Sequence, residues 1–453
     1  MKLGKKSALT MAAVITSCTL LACGGGGGGG GGGGSAYGKE TYPEWQDNKS
    51  MWVGGWDVPI NTEADYKMAK DMGLTHMFID GSMATKGTEA YLDQLRHCEK
   101  VGLKAIVGND IATGNSDNKP ADMTDYSVYP AVDMINVWDE PHINNFDSVA
   151  AMIEEYNELY AGKDMTLYVN GNPANNIGDN TWTTTEDYME QFYNKVLSKI
   201  DGRKIFSTDI YPLLETRGVY TLDSRWLRTM AVYANYAKDY DGEFHMFIQN
   251  YSSSINRETL SRKDFTYQIY TDMVFGINGY TYFTYRKSFI QEFGGGCVEY
   301  DTSCTPTPSY YWAQEVNAEI AKFDHVYLSF DWDGAMSVKG QYNLEDDEEY
   351  ENVSFGFYKE LTALNCATKV TATQDTLIGQ FKDDEGRDAL MVTNFTMPTD
   401  DTDDKVTIDF KDCNRAIVYE NGERKVYEVK NNKLTLDIPS GEGVFVIPLK
   451  LKI

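Results

Sequence analysis

The chain is short of histidine, cysteine and positive charge, and each shortage excludes a class of protein. Five histidines are scattered over 453 residues, and no two stand at the helical spacing of a metal-binding pair. Seven cysteines are too few for a stapled scaffold. With Cys18 and Cys23 in the leader region, Cys98, Cys297, Cys304, Cys366 and Cys413 leave at least one free thiol. Cys297 and Cys304 share a loop and could close a local disulfide, whereas Cys98 falls in a helical pattern and reads as a buried apolar residue. Lysine and arginine number 41 against 68 acidic residues, a formal charge of −27. That balance opposes binding to nucleic acid or to anionic membrane surfaces and suits a neutral partner outside the cell. No phosphate-binding glycine loop and no nucleophile elbow occurs, and nothing calls for a cofactor.

The chain has little in the way of long apolar runs. Its one such stretch, Ala8 to Leu21 after Lys2, Lys5 and Lys6, is too short for a mature transmembrane helix and has the form of a signal peptide over residues 1–22. A transmembrane anchor is the alternative. Leu20-Leu21-Ala22-Cys23 resembles a bacterial lipobox, which implies cleavage before Cys23 and lipidation of that cysteine. Gly24 to Gly34 cannot bury a core, and residues 23–40 read as a flexible tether. The expectation is an exported protein, lipid-anchored at a bacterial cell surface, whose only link to a membrane is that lipid.

Beyond the tether, eight β-rich runs alternate with amphipathic stretches. The runs are Met51 to Pro59, Thr75 to Asp80, Lys104 to Asp110, Met134 to Trp138, Thr166 to Asn170, Lys204 to Asp209, His245 to Asn250 and Gly279 to Tyr285. Helices are expected between them, as over Thr62 to Met72, where Thr62 and Asp65 have capping-box spacing and Gly73 ends the run. Eight such units over about 270 residues match a closed (β/α)8 TIM barrel better than an open doubly wound sheet. The barrel is expected over residues 41–325. From 326 to 453 the pattern becomes short alternating strands with Asn421-Gly422 and Asn431-Asn432 as turns, the signature of a small all-β sandwich. The acidic segment Glu345 to Glu351 reads as a solvated connection and Asp400 to Asp404 as a charged hairpin tip; acidic clusters alone are weak evidence for calcium.

Acidic residues close five of the eight runs: Asp57, Asp80, Asp110, Asp139 with Glu140, and Asp209. Trp52, Trp56, Trp138, Asn170, Asn172, Tyr211, Gln249, Asn250, Tyr251, Tyr282, Tyr285 and Arg286 accompany them. Aromatic faces pack on sugar C–H groups, and carboxylates and amides pair with hydroxyls, so the mixture suits a carbohydrate. About half of the aspartates have a plain structural use as helix caps or loop anchors, Asp57 and Asp80 first among them. Cleavage of a glycosidic bond needs one carboxylic acid and a second carboxylate. Glu140 suits the acid: it has the longer arm, and Pro141 fixes the exit of the chain, while simple alternation turns Asp139 to the other side of the strand. Just outside a strand the alternation can fail, so the sequence leaves open which of the two faces the mouth.

The chain resembles glycoside hydrolases of the large barrel superfamily that includes family 42 β-galactosidases. The resemblance rests on Asp139-Glu140-Pro141, Asp209-Ile210-Tyr211-Pro212, Phe247-Ile248-Gln249-Asn250-Tyr251, Gly279-Tyr280-Thr281-Tyr282-Phe283 and the terminal Gly441-Glu442-Gly443-Val444-Phe445-Val446-Ile447. In the common retaining pattern asparagine precedes the acid and a glutamate ends the seventh strand. Here Asp139 replaces the former, and Gln249, which cannot act as a nucleophile, stands near the latter. Asp209 is therefore the expected second carboxylate, with Asp110 and Glu292 in reserve, and Trp56, Asp57, Asp110, Trp138, Asp139, Asn170, Tyr211, Gln249, Tyr285 and Arg286 are the expected substrate contacts. The implied activity is hydrolysis of O-glycosidic bonds in a neutral oligosaccharide or polysaccharide. A non-catalytic carbohydrate-binding lipoprotein is the alternative, and a structural or adhesion module a third. Sugar, linkage and oligomeric state are not encoded in any motif.

Overall fold

The computed structural model describes residues 41–451 apart from 60, 80–82, 109–123, 174–182, 289–293, 302 and 342–354. The expectations for Cys23, Asp80, Asp110, Glu292 and the acidic segment 345–351 lie outside the described residues.

Strands β1 (Trp52–Gly55), β2 (His76–Ile79), β3 (Lys104–Gly108), β4 (Val132–Asp139), β5 (Thr166–Gly171) and β6 (Ile205–Thr208) follow one another around a closed parallel barrel. A hairpin, β7 (Leu213–Thr216) with β8 (Val219–Leu222), interrupts the sequence. The barrel then resumes with β9 (Glu243–Gln249) and, after the short β10 (Tyr251–Ser252), closes with β11 (Gly279–Phe283), which pairs with both β9 and β1. β10 pairs outside the barrel with β12 (Gly294–Gly295).

The strands are apolar on both faces, as a parallel sheet covered by helices requires. Trp52, Trp56, Phe78, Ile106, Met134, Tyr168, Ile205 and Phe247 fill the lumen as one cluster. Alternate positions such as Val53, Met77, Val107, Ile135, Val169, Phe206, Met246 and Tyr280 pack against the helices. Full burial of each such side chain contributes about 1.5–3 kcal/mol. That is why these runs settle as strands of a filled barrel.

The helical layer comprises α1 (Glu63–Asp71), α2 (Glu89–Val101), α3 (Phe146–Leu159), α4 (Thr185–Lys195), α5 (Trp226–Asp239), α6 (Arg262–Val274) and α7 (Pro308–Ile320), followed by the short α8 (Asp324–Tyr327). Thr62 caps α1 by accepting the Asp65 N–H, and Gly73, at φ +98°, turns the chain away from it. In α6 every residue from Asp264 to Val274 is buried, because one side meets β9 and the other meets the second domain. A helix covered all round shows no amphipathic stripe.

That second domain is an antiparallel sandwich. One sheet has the order β13 (Phe330–Val338), β15 (Thr376–Asp383), β16 (Asp388–Asn394), β21 (Gly443–Leu449), β18 (Arg415–Glu420), β19 (Glu423–Glu428), and the other β14 (Ala367–Thr371), β17 (Asp404–Phe410), β20 (Lys433–Ile438). Asn421, Gly422, Asn431 and Asn432 all have positive φ, the backbone that tight hairpin turns demand. β13 is not evident in the sequence. A register shift between Trp332 and Gly334, with Gly334 at φ +144°, breaks its alternation. Asp404 departs from the expected exposed hairpin tip: it is buried at the start of β17, where its carboxylate accepts the Thr373 and Gln374 N–H groups and the Thr373 and Thr376 hydroxyls. Cys297 and Cys304 are separate, buried free thiols.

Candidate active site

The chemistry at the C-terminal mouth of the barrel starts with an irregularity in β4. Asn136 pairs with Tyr168, but Trp138 pairs with Val169 and Asp139 with Asn170, so the register slips by one residue between Asn136 and Trp138. One extra residue reverses every side chain beyond it. Trp138, which strict alternation would put in the lumen with Met134, instead packs against the outer core. Asp139 turns into the mouth beside Asn170. Glu140 follows at φ +48°, a backbone region that non-glycine residues enter rarely, with its N–H donated to the Asn170 carbonyl at 2.9 Å. The turn brings both adjacent carboxyl groups to one cavity, although simple alternation would have separated them.

That cavity holds about 250 Å³ and is lined by Trp56, Asp139, Glu140, Asn170, Asp209, Tyr211, Phe247, Tyr251 and Phe283. The Asn170 amide nitrogen donates to Asp139 Oδ1 and to Asp209 Oδ1, each at 3.0 Å. The Glu140 side chain lies against that of Asp209, and the Tyr211 hydroxyl faces Asp209 as well. Three carboxyl groups thus converge, and among the described residues no lysine or arginine joins them in the lining.

Aromatic rings enclose them. Tyr251 meets Tyr211 edge-on at 4.8 Å and Phe283 edge-on at 5.2 Å, while Tyr211 and Phe283 lie 5.3 Å apart. Trp56 packs between Phe247 at 5.7 Å and Phe283 at 6.3 Å.

This crowding determines the protonation states. Repulsion from Asp209, then burial and Asp139, push the Glu140 carboxyl up to about 9. Glu140 stands open to solvent at the rim, so water screens part of that repulsion and the upward direction is what carries forward. Burial and Asp209 push Asp139 up to about 7, against the Asn170 amide. Burial also raises Asp209, but Asn170, Tyr211 and Glu140 all donate to it and act the other way. All three carboxyl groups are thus raised, and Glu140 and Asp209 crowd each other so that ionising one disfavours ionising the other.

Six of the expected residues come together here: Trp56, Asp139, Glu140, Asn170, Asp209 and Tyr211. Others are placed elsewhere. The Gln249 amide is tied to the rim loops, accepting the Leu213 N–H and donating to the Leu213 and Arg257 carbonyls at 2.9 to 3.0 Å, so it does not line the cavity. Tyr285 packs in the outer core behind β1, against Gly55. Arg286 is buried beside Met83 and stacks on Tyr300 with its guanidinium 4.6 Å from the ring. Asp57 sits just past β1 at φ +66°, outside the cavity lining. Phe247, Tyr251 and Phe283 line the site without having been singled out as contacts. Two of them were readable, since Phe247 and Phe283 follow His245 and Thr281 by two residues on strands whose alternation is regular. Among the described residues no cluster of His, Cys, Asp or Glu is arranged to hold a metal ion.

No protein-family model matches the chain, and no curated protein matches it. Solved structures do, and those described here are glycoside hydrolases with barrel folds. The chain is similar to a protein of Bacteroides fragilis NCTC 9343 provisionally assigned as an α-galactosidase, with a TM-score of 0.51 and 9% identity over 88% of this chain and 79% of that one. It is also similar to the GH27 β-L-arabinopyranosidase of Geobacillus stearothermophilus, with a TM-score of 0.49 and 9% identity over 88% and 96%. With the β-galactosidase of Marinomonas ef1 the TM-score is 0.43 at 11% identity, and the chain spans 62% of that protein's length. At 9% identity the likeness to the Bacteroides fragilis protein, with its TM-score of 0.51, supports the fold and nothing finer.

Proposed function

We propose that this protein is a glycoside hydrolase that cleaves O-glycosidic bonds of a neutral glycan, with Glu140 as general acid and Asp209 as second carboxylate. The observation that carries the reading is the contact between them at the centre of an aromatic-walled cavity. Glu140 holds a proton at neutral pH because Asp209 and burial disfavour its charge; burial raises Asp209 too, but Asn170 beside it acts the other way, so on this reading the proton the pair shares rests on Glu140. Trp56, Phe283 and Tyr251 offer faces for sugar C–H groups. Asp139, on the other amide hydrogen of Asn170, suits a ring hydroxyl.

Retaining glycosidases hold their two carboxyl groups about 5–5.5 Å apart and inverting ones further apart. A hydrogen-bonded pair is closer than either. A sugar must therefore part Glu140 from Asp209, and Glu140, exposed and on a long side chain, is the member free to move. The signal-like leader and Cys23 support export and a lipid anchor at the cell surface. The chain's charge of −27 favours an uncharged substrate.

The closed pair also favours a second reading, capture of a glycan without cleavage, to which the immobilised Gln249 adds weight. Incubating the mature protein and its Glu140→Gln form with a broad panel of oligosaccharides and polysaccharides separates the two. New reducing ends from the wild type alone support hydrolysis. Saturable binding without products from either form supports capture and refutes the proposal.

A further inference from the structure

Behind the three carboxyl groups lies a chain of buried polar side chains that lining the cavity does not explain. Asn170, Ser207, His245, Thr281 and Tyr168 are each 0–1% exposed, in a lumen otherwise filled with aromatic and aliphatic groups. Ser207 Oγ is 2.9 Å from Asn170 Oδ1, 2.5 Å from the Tyr168 hydroxyl and 3.1 Å from His245 Nδ1, and His245 Nε2 is 3.1 Å from Thr281 Oγ1. Trp52 stacks on the imidazole at 4.0 Å. At Gly54 a Cβ would come within 2.1 Å of Thr281 Oγ1, so only glycine there leaves room for the threonine.

Counting hydrogens fixes every direction in this chain. The Asn170 amide nitrogen faces two carboxyl oxygens, so its Oδ1 must face Ser207, and a carbonyl oxygen can only accept. The single Ser207 hydroxyl hydrogen is therefore spent on Asn170. The Ser207 oxygen must then accept from Tyr168 and from His245, which places the imidazole hydrogen on Nδ1. His245 Nε2 is left bare and accepts from Thr281. Burial holds the ring neutral, pushing its pKa well below the ordinary value, with His76 and Arg203 acting in the same direction and the Tyr280 backbone carbonyl against it.

We infer that Asn170 is a positioning residue whose amide orientation, locked by the Thr281–His245–Ser207 relay, assigns the site's proton to Glu140 by keeping Asp139 and Asp209 as hydrogen-bond acceptors. Reversal of the amide would turn its oxygen toward the two aspartates, which only protonated carboxyls could face. The other titratable groups facing the trio are Tyr168, Tyr188, Tyr211, Tyr233 and Tyr251. Burial raises all five hydroxyls, which stay neutral. Among the described residues no lysine or arginine contributes to the shift of Asp139 or Glu140, and the Asn170 amide nitrogen is a donor that both aspartates share. This inference deepens the proposed hydrolase reading but does not depend on turnover.

The test is a pH titration of the full chain, 13C-labelled at its aspartate and glutamate carboxyls and followed by NMR. Asp139→Asn, Glu140→Gln and Asp209→Asn variants assign the three signals. Ser207→Ala removes the donor to Asn170 Oδ1 and should raise the midpoints of Asp139 and Asp209 by about one pH unit or more. Should Ser207→Ala fail to fold, Thr281→Val, which keeps its shape, should move them in the same direction by less, while Thr281→Ser restores wild-type midpoints. Unchanged aspartate midpoints in whichever folded variant is measured overturn the inference. A protein that titrates as expected but releases no sugar refutes the hydrolase and leaves the relay standing.

Discussion

Buried acids are treated in opposite ways at the barrel mouth and in the rest of the molecule. Away from the mouth most of those described are neutralised or held by several donors; Asp272 in α6 is the exception, a single buried acid with one oxygen lacking a partner, whose carboxyl burial pushes well up. Asp264 forms a two-pronged ion pair with Arg257, both side chains 1% exposed. Glu319 and Glu442 share Arg262 where the barrel meets the sandwich. Asp404 takes four hydrogen bonds. At the mouth, among the described residues, the enclosed Asp139 and Asp209 and the rim residue Glu140 have one another, the Asn170 amide and the Tyr211 phenol around them, and no cation. Folding alone would favour a cation there, since unpaired buried charge is among the costliest arrangements a protein carries. On the proposed reading, the difference separates acids that serve the fold from acids kept for chemistry.

The comparison can be broken at its strongest point by Glu140→Gln, which should lower turnover about 10²–10⁴-fold or more without unfolding the protein. Steady-state kinetics beside a melting curve checks it. The same experiment run against pH should show wild-type kcat/KM falling on the alkaline side as Glu140 loses its proton, and no such limb in the variant. Next in size is Asp264→Ala, which leaves the buried Arg257 without its carboxylate and should cost about 3–5 kcal/mol in urea unfolding. Gln249→Glu should create no new activity. It sets a carboxylate against the Leu213 and Arg257 carbonyls and should lower stability by about 1–3 kcal/mol; gained turnover would show that this position reaches the substrate.

The smallest effect belongs to Glu442, whose carboxyl burial pushes up to about 7 in spite of Arg262. A raised carboxyl binds its proton more tightly in the folded state, so its contribution is complete below the ordinary carboxylate range and is lost as pH rises through about 7. Glu442→Gln should therefore flatten the decline of the melting temperature between about pH 5 and 8 by a few degrees at most.

The barrel was legible because its strands carry apolar residues on both faces at regular intervals and its helices begin and end on caps such as Thr62 and Gly73. The acidic strand ends were legible for the same reason: once a strand's end is known, Asp209 and Asn170 follow. What sequence could not reveal was the one-residue slip in β4, a tertiary feature of its pairing with β5 that sends Trp138 outward and Asp139 inward. Nor could it reveal where long side chains beyond a strand end are tied. Gln249 has the right position for a site residue and is committed to Leu213 and Arg257, and Arg286 is committed to Met83 and Tyr300.

If the mouth acids are held together for chemistry at the expense of the fold, then Asp209→Asn tests it most directly, with activity and thermal unfolding measured on one preparation. Removing the shared charge should abolish turnover and raise the melting temperature, because Asp139 and Glu140 lose the neighbour that lifts both of their pKa values. A variant that keeps its turnover, or that melts at a lower temperature, would instead make Asp209 a structural acid like Asp264 and remove the contrast.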